Sequence, residues 1–247
     1  LKLGKNRKIR LYIDCEITTK PISVNCEQEN YLFNVMRCKD GDKIKIFNET
    51  SGEWIATITS DKKNNYLLPI ERIRDGINNK VGKKIILAFA PTKKYGEFVV
   101  EKASEMGVDH IIPIRCGRSV VDKINKDRYR KAIIEAAEQC GRLDLPKLSH
   151  MVDLVDLKTT VENAYQGKKI LFVLCDIAGE TIDLKQSIET CDVISVIIGP
   201  EGGFNEEDYK IFGSLPIVCL KLNDNVLRAE TASIVALATI GFVTSSI

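Results

Sequence analysis

Over the first seventy residues, apolar positions come in short alternating runs. Arg10 to Asp14, Lys43 to Asn48, Trp54 to Ser60 and Tyr66 to Glu71 each read as a strand, and turn formers separate them: Asp40-Gly41-Asp42, Asn48 to Gly52 and Asp61 to Asn65. Strands this short at this spacing suggest a small barrel. One segment breaks the rhythm. In Glu27 to Cys38, Leu32, Val35 and Met36 fall at helical spacing, which predicts a helix within the barrel. Arg74 to Lys83, with its Asp-Gly-Ile-Asn-Asn, reads as a linker.

From Lys84 the period changes. Ile85 to Ala90, Ile111 to Ile114, Ile170 to Cys175, Val193 to Ile198 and Ile217 to Leu220 are apolar runs, the signature of strands buried on both faces. Between them Gly96 to Met106, Asp127 to Cys140, Glu206 to Phe212 and the C-terminal stretch carry helical patterns. The alternation predicts an α/β domain on a mostly parallel sheet. The expected organisation is therefore a β-barrel over 1–73, a linker over 74–83 and the α/β domain over 84–247.

Composition narrows this only in part. With 44% hydrophobic and 28% charged residues among 247, the chain can bury a core, and disorder is excluded. Lys plus Arg number 36 against 34 acids, so net charge points to no partner. Its location says more. Lys2, Lys5, Arg7, Lys8 and Arg10 crowd the first ten residues with no acid among them, either a nucleic-acid arm or a solvated end. The eight cysteines are scattered, mostly within apolar runs and without a CxxC pair, which points to small core residues in a reducing compartment, the cytoplasm. With only His110 and His150 beside them, no metal site is expected. The opening residues lack the apolar stretch of a secretory signal. Thr231 to Ile247 carries no charge, but it is shorter than the roughly 20 apolar residues of a membrane span and diluted by Ser and Thr. A buried C-terminal helix is expected there, and no membrane contact; Ala232, Ala236 and Ala238 would allow close packing against the domain or a second subunit.

Two stretches carry candidate chemistry. Ile194 to Phe204 reads ISVIIGPEGGF, a buried strand running straight into a glycine-rich loop. In an open α/β sheet ligands bind at the carboxyl ends of the strands, where such a loop lets backbone approach ligand. Asn205 then offers an N-cap, followed by Glu206, Glu207 and Asp208 in the first helical turn. Three acids answer the helix dipole and repel a diphosphate. There is no GxGxxG and no Lys-Ser/Thr pair after the glycines. A nucleoside with a cationic or neutral tail suits the loop better, and a plain structural turn remains the other reading. The second stretch, Leu222 to Leu237, reads LNDNVLRAETASIVAL: an irregular Asn223-Asp224-Asn225, then Val226-Leu227-Arg228, then a helix starting near Ala229 or Glu230. Thr231 and Ala232 would sit where backbone donors are free. Arg228 could serve a ligand or pair with an acid such as Glu230 or Glu201.

Taken together, IIGPEGGFNEED and LNDNVLRAETAS, preceded by EFVVEKASEMGVDHIIPIRCGRSVV and AIIEAAEQCGR, resemble the bacterial methyltransferases that make N3-methyluridine in small-subunit (16S) ribosomal RNA, members of the SPOUT class. YLFNVMRCKDGDKIKIF is similar to that family's PUA-like barrel. The resemblance covers almost the whole chain. It implies a PUA-like RNA-binding barrel followed by a trefoil-knotted α/β domain. It further implies S-adenosylmethionine in a knot built from Ile198, Gly199, Pro200, Glu201, Gly202 and Gly203, from Leu222, Val226, Leu227, Arg228, Thr231 and Ala232, and from the strand end at Leu174 and Asp176. The chain departs from the family at Asn223, where glycine is usual, and at Asn30-Tyr31, where a His pair is frequent.

The implied reaction sets requirements of its own. Uracil N3 carries a proton and has no free lone pair until that proton leaves, so a group must take the proton or stabilise the anion as it forms. Arg228 is the first candidate for the anion and Glu201 for proton handling or cofactor positioning. RNA contacts are expected from Arg7, Arg10 and Arg37 in the barrel and from Arg118 and Arg142, the last on a stripe with Glu135 and Gln139. A homodimer is expected, with the 16S ribosomal RNA of the small subunit as partner. A non-catalytic RNA-binding assembly factor and a dinucleotide enzyme are the alternatives.

Overall fold

The structure is a computed structural model that describes residues 9–61, 64–77, 82–180 and 184–246. Two compact units divide the chain, one of Leu1–Lys80 with Ala137–Leu145, the other of Val81–Ala136 with Pro146–Ile247. Of the stretch expected as linker, 74–83, residues 78–81 lie outside the described residues.

In the first unit the strands are β1 (Arg10–Tyr12), β2 (Ile22–Ser23), β3 (Lys43–Asn48), β4 (Gly52–Ser60) and β5 (Asn65–Arg74). Their order is β1-β3-β4-β5-β2; β1 lies parallel to β3 and the other pairs are antiparallel. The β3–β4 turn is fixed by Asn48, whose Oδ1 accepts from Ser51 N at 2.7 Å while its Nδ2 donates to Cys15 O at 2.7 Å. Gly52 completes it with φ 80°; a Cβ there would meet Arg74 O at 2.1 Å. Apolar residues from these strands and from the helical insert, Ile44, Ile46, Ile58, Leu67 and Leu32 among them, form the core.

The helix expected over Glu27 to Cys38 is only partly there. A one-turn helix, α1 (Cys26–Glu29), passes into a π-helical turn over Asn30–Val35. The chain then reverses through Arg37 at φ 55°, with Cys38 N donating to Leu32 O at 2.9 Å. The π-turn still buries Leu32, but it leaves Val35 and Met36 61% and 39% exposed.

The second unit runs β6 (Lys84–Phe89), α2 (Gly96–Glu105), β7 (His110–Arg115), α3 (Lys126–Cys140, whose residues from Ala137 count with the first unit), β8 (Lys147–Leu148) and β9 (Val152–Asp153). There follow α4 (Leu157–Ala164), β10 (Ile170–Glu180), α5 (Leu184–Glu189), β11 (Val193–Ile198), α6 (Glu206–Phe212), β12 (Ile217–Leu220) and α7 (Ala229–Ser245). The sheet order is β12-β10-β11-β6-β7-β8, with β9 also beside β7, and every pairing is parallel. All six residues of β11 are buried, as expected of a strand whose apolar run has no polar period. Among the described residues no helix is long and apolar enough to cross a membrane.

Candidate active site

β12, β10 and β11 are neighbours in the sheet, and the chain segments at their carboxyl ends enclose a cleft of about 310 Å³. That is the edge at which open α/β sheets hold ligands. The first wall follows β11. Ile198, Gly199, Pro200, Glu201 and Gly203 line the cleft, joined by Phe204. Pro200 O accepts from Gly203 N at 2.9 Å, and Gly203 takes φ 69° to close the turn. Gly199 has to be glycine: a Cβ would lie 2.8 Å from the Phe204 ring. Gly202 turns away from the cleft, its carbonyl accepting from Arg118 Nη1 at 2.9 Å.

Immediately after this loop, Asn205 and Asp208 form a capping box at the start of α6. Asp208 is buried and also accepts from Gly117 N at 3.1 Å, so one of the three acids is committed to structure while Glu206 and Glu207 remain exposed. The negative end-cap expected to exclude a diphosphate is therefore in place.

The second wall follows β12. Leu222, Val226, Leu227 and Arg228 line the cleft together with Asn223 and Asn225, and Asn223 Oδ1 accepts from Asn225 N at 2.8 Å. Helix α7 starts at Ala229 with Arg228 in the cap position, but the arginine side chain makes no cap. Among the described residues the exposed Arg228 and Glu201 make no ion pair. Ala232 lines the cleft through its side of the helix, and its N–H is not free: it donates to Arg228 O at 2.8 Å. Thr231 is exposed and does not face the cleft.

The third wall is the end of β10, where Cys175, Asp176 and Ile177 reach the cleft. Leu174 does not. It is 1% exposed and belongs to the sheet's apolar core. Burial, and then the charge of Asp176, pushes the Cys175 thiol up to about 12, so it is no nucleophile at neutral pH.

The arginines expected to meet RNA divide into two groups. Arg10 is a correction: its guanidinium turns inward, with Nε on Glu53 Oε1 at 2.5 Å, Nη1 on Ala137 O at 2.5 Å and Nη2 on Arg142 O at 3.1 Å, and it stacks 4.0 Å above Phe47. Arg142 is another. Helix α3 ends at Cys140 and Gly141 turns left-handed at φ 86°, which breaks the stripe with Glu135 and Gln139; the side chain grips Asp144 through Nε at 3.2 Å and Nη2 at 2.9 Å. Arg37 and Arg118 are exposed, and Arg7 lies outside the described residues.

Comparison with known proteins bears on what this cleft does. The sequence model of the RNA methyltransferase domain matches residues 79–241, and that of the RNA methyltransferase PUA domain matches residues 27–70. A Rickettsia conorii protein named ribosomal RNA small subunit methyltransferase E is 27% identical over 246 residues, covering 97% of this chain and 91% of that one. A protein of the same name from Mesomycoplasma hyopneumoniae is 31% identical over 172 residues, 67% of this chain and 71% of the other. A Legionella pneumophila structure described as a methyltransferase with bound SAM superposes with a TM-score of 0.80 at 28% identity, over 94% of this chain and 96% of its own. The ribosomal RNA small subunit methyltransferase E of Neisseria gonorrhoeae, solved with S-adenosylmethionine, gives a TM-score of 0.80 at 21% identity over 95% and 97%, a likeness of fold.

Proposed function

The chain belongs to the RNA methyltransferase domain family, with a PUA domain ahead of the catalytic one, and on that premise we propose that it methylates N3 of a uridine in small-subunit (16S) ribosomal RNA. It is an S-adenosylmethionine-dependent rRNA methyltransferase. The observation that carries the reading is the three-walled cleft at the ends of β10, β11 and β12.

The residues present fit a sulfonium nucleoside. The backbone at Gly199 is bare against the Phe204 ring, and among the described residues no lysine lines the cleft and Asp176 and Glu201 stand against the single guanidinium of Arg228. That set suits a cation without phosphate. Ile198, Gly199, Pro200, Glu201, Gly203, Leu222, Val226, Leu227, Arg228, Ala232 and Asp176 are the cofactor-binding set in this reading, and the stretches 198–203 and 222–232 are the loops of a trefoil knot.

Bound S-adenosylmethionine supplies an electrophilic methyl group. The chain has to hold the base in line and manage the N3 proton. Among the described residues Arg228 carries its charge free of ion pairs at the cleft, where it stabilises the uracil anion as that charge develops. Glu201, on the glycine loop, takes the proton or orients the cofactor. Extruding a base costs a few kcal/mol that contacts elsewhere must offset; exposed Arg37 and Arg118 supply them in this reading. Residues 1–73 act as a PUA-like RNA-binding barrel, 74–83 as linker and 84–247 as the methyltransferase domain, working in the cytoplasm as a homodimer with α7, uncharged from Thr231 onward, at its interface.

The test is transfer of labelled methyl from S-adenosylmethionine to purified small subunits lacking N3-methyluridine, read by nucleoside mass spectrometry, with Arg228→Ala in parallel. Labelled N3-methyluridine from the wild type, lost in the variant while cofactor still binds, is the expected result. Label on another nucleoside would overturn the site of methylation. Absence of both binding and label would leave an RNA-binding assembly factor.

A further inference from the structure

Strand β10 does something unusual at the cleft. Both Cys175 and Glu180 pair with Leu220 of β12, so the four residues between them are thrown out of the ladder as a bulge. Bulges of this kind re-aim a side chain next to a site. The bulge is tightly built: at Gly179 a Cβ would come within 3.0 Å of Asp176 O, Leu220 C and Lys221 N. The side chain that opens it is Asp176, which lines the cleft.

The carboxylate is held from two directions. Ala178 N donates to Oδ1 at 2.9 Å from within the bulge, and the Tyr209 hydroxyl, carried on α6, donates to Oδ2. Tyr209 is itself set edge-on against Phe204 and Phe212, with centroids 6.2 and 6.0 Å away, and Phe204 lines the cleft. Partial burial, and then the hydrogen bond to Asp176, pushes the Tyr209 hydroxyl up to about 12, so it stays a donor at physiological pH.

A carboxylate has about four acceptor sites. Two are used, leaving one on each oxygen, fixed in direction. A cation can be answered by a carboxylate in any orientation; two fixed acceptors suit a pair of adjacent hydroxyl donors. In open α/β sheets that hold a nucleotide beside a glycine-rich loop, an acid is what receives the ribose hydroxyls. Here β10, which carries the acid, is the direct neighbour of β11, which carries the glycine loop. We propose that Asp176, oriented by Tyr209 and by the β10 bulge, is the ribose-reading residue of the cleft and accepts hydrogen bonds from the 2′- and 3′-hydroxyls of the adenosyl group. The assignment rests on the methyltransferase reading. Tyr209 acts through Asp176 and is a positioning residue.

The experiment is calorimetric binding to the full chain of three probes: S-adenosylmethionine, S-adenosylhomocysteine and 2′-deoxy-S-adenosylhomocysteine. The wild type should prefer S-adenosylhomocysteine to its deoxy analogue by about ten-fold or more, the size of a hydrogen bond to a charged group. Asp176→Asn should reduce that preference to near unity, and Tyr209→Phe should reduce it several-fold, while the ratio of S-adenosylmethionine to S-adenosylhomocysteine stays as in the wild type. Ribose discrimination that survives Asp176→Asn overturns the proposal. So does a variant that loses S-adenosylmethionine far more than S-adenosylhomocysteine, since the carboxylate would then be answering the sulfonium. A wild type that binds none of the three overturns the methyltransferase reading together with this one; binding without ribose discrimination overturns this one alone.

Discussion

Arg10 and Arg228 are the same residue type put to opposite uses. The Arg10 side chain is 9% exposed and meets Glu53, itself 3% exposed, so truncating it takes the nearest partner from a buried carboxylate and leaves it only Lys45 at 3.6 Å and Arg74 at 3.9 Å. Losing one partner of a buried pair costs about 3–5 kcal/mol, and Arg10→Ala should lower the urea midpoint of the first unit by a corresponding amount. Arg228 caps nothing and pairs with nothing among the described residues. Arg228→Ala should leave stability within about 0.5 kcal/mol of wild type in the same titration, so that its loss of methyl transfer reads as chemistry. The sequence could not separate these roles. Arg10 finds its carbonyl partner 127 residues further along the chain, a distance that no local pattern encodes, whereas Arg228 stands beside a helix start that is visible locally. Tyr209 escaped notice for the same reason: its hydroxyl partner is 33 residues away, while locally it is one more residue of a short helix.

At the scale of elements, legibility followed the clarity of the punctuation. The boundaries of β3, β11, β12 and α6 are those read from the sequence, because each is a run of one period closed by turn or capping residues. The two-residue strands β2, β8 and β9 have no room for a period, and β10 continues past Cys175 only by way of a bulge whose Asp-Ile-Ala-Gly breaks the apolar run. Helical spacing in Glu27 to Cys38 identified a helical insert correctly in kind, but the π-turn and left-handed Arg37 depend on packing that spacing does not record. The glycine loop and α6 form one joined device, and two substitutions probe it. Asn205→Ala removes a capping box and should cost about 1 kcal/mol, read as a lowered thermal midpoint. Gly199→Ala drives a methyl group to within 2.8 Å of the Phe204 ring; overpacking of this kind costs about 1–3 kcal/mol, and cofactor affinity should fall with it.

For the second unit as a whole, pH sets one limit and strand order another. His110 is buried in β7, with Nε2 2.8 Å from Ser149 Oγ. Burial, and then the charge of Lys147, pushes it down to about 4 from an ordinary 6.5. The folded chain keeps this ring neutral while the unfolded chain protonates it first. Stability is therefore unaffected by His110 above about pH 6.5, falls as pH drops toward 4, and levels off below that. His110→Gln should flatten the pH dependence of the unfolding midpoint across that window. The strand order has a consequence in time. β11 is completed by a neighbour from the start of the unit, Lys84 lying beside Val193, and the wall from Leu222 to Ala232 comes close to its end. Contacts so distant along the chain make folding slow, since each long loop must close before its pairing repays the lost freedom. A nascent chain emerging from the ribosome thus has no cleft until nearly all of this unit has been made, and refolding followed by cofactor binding should lag behind refolding followed by helix content.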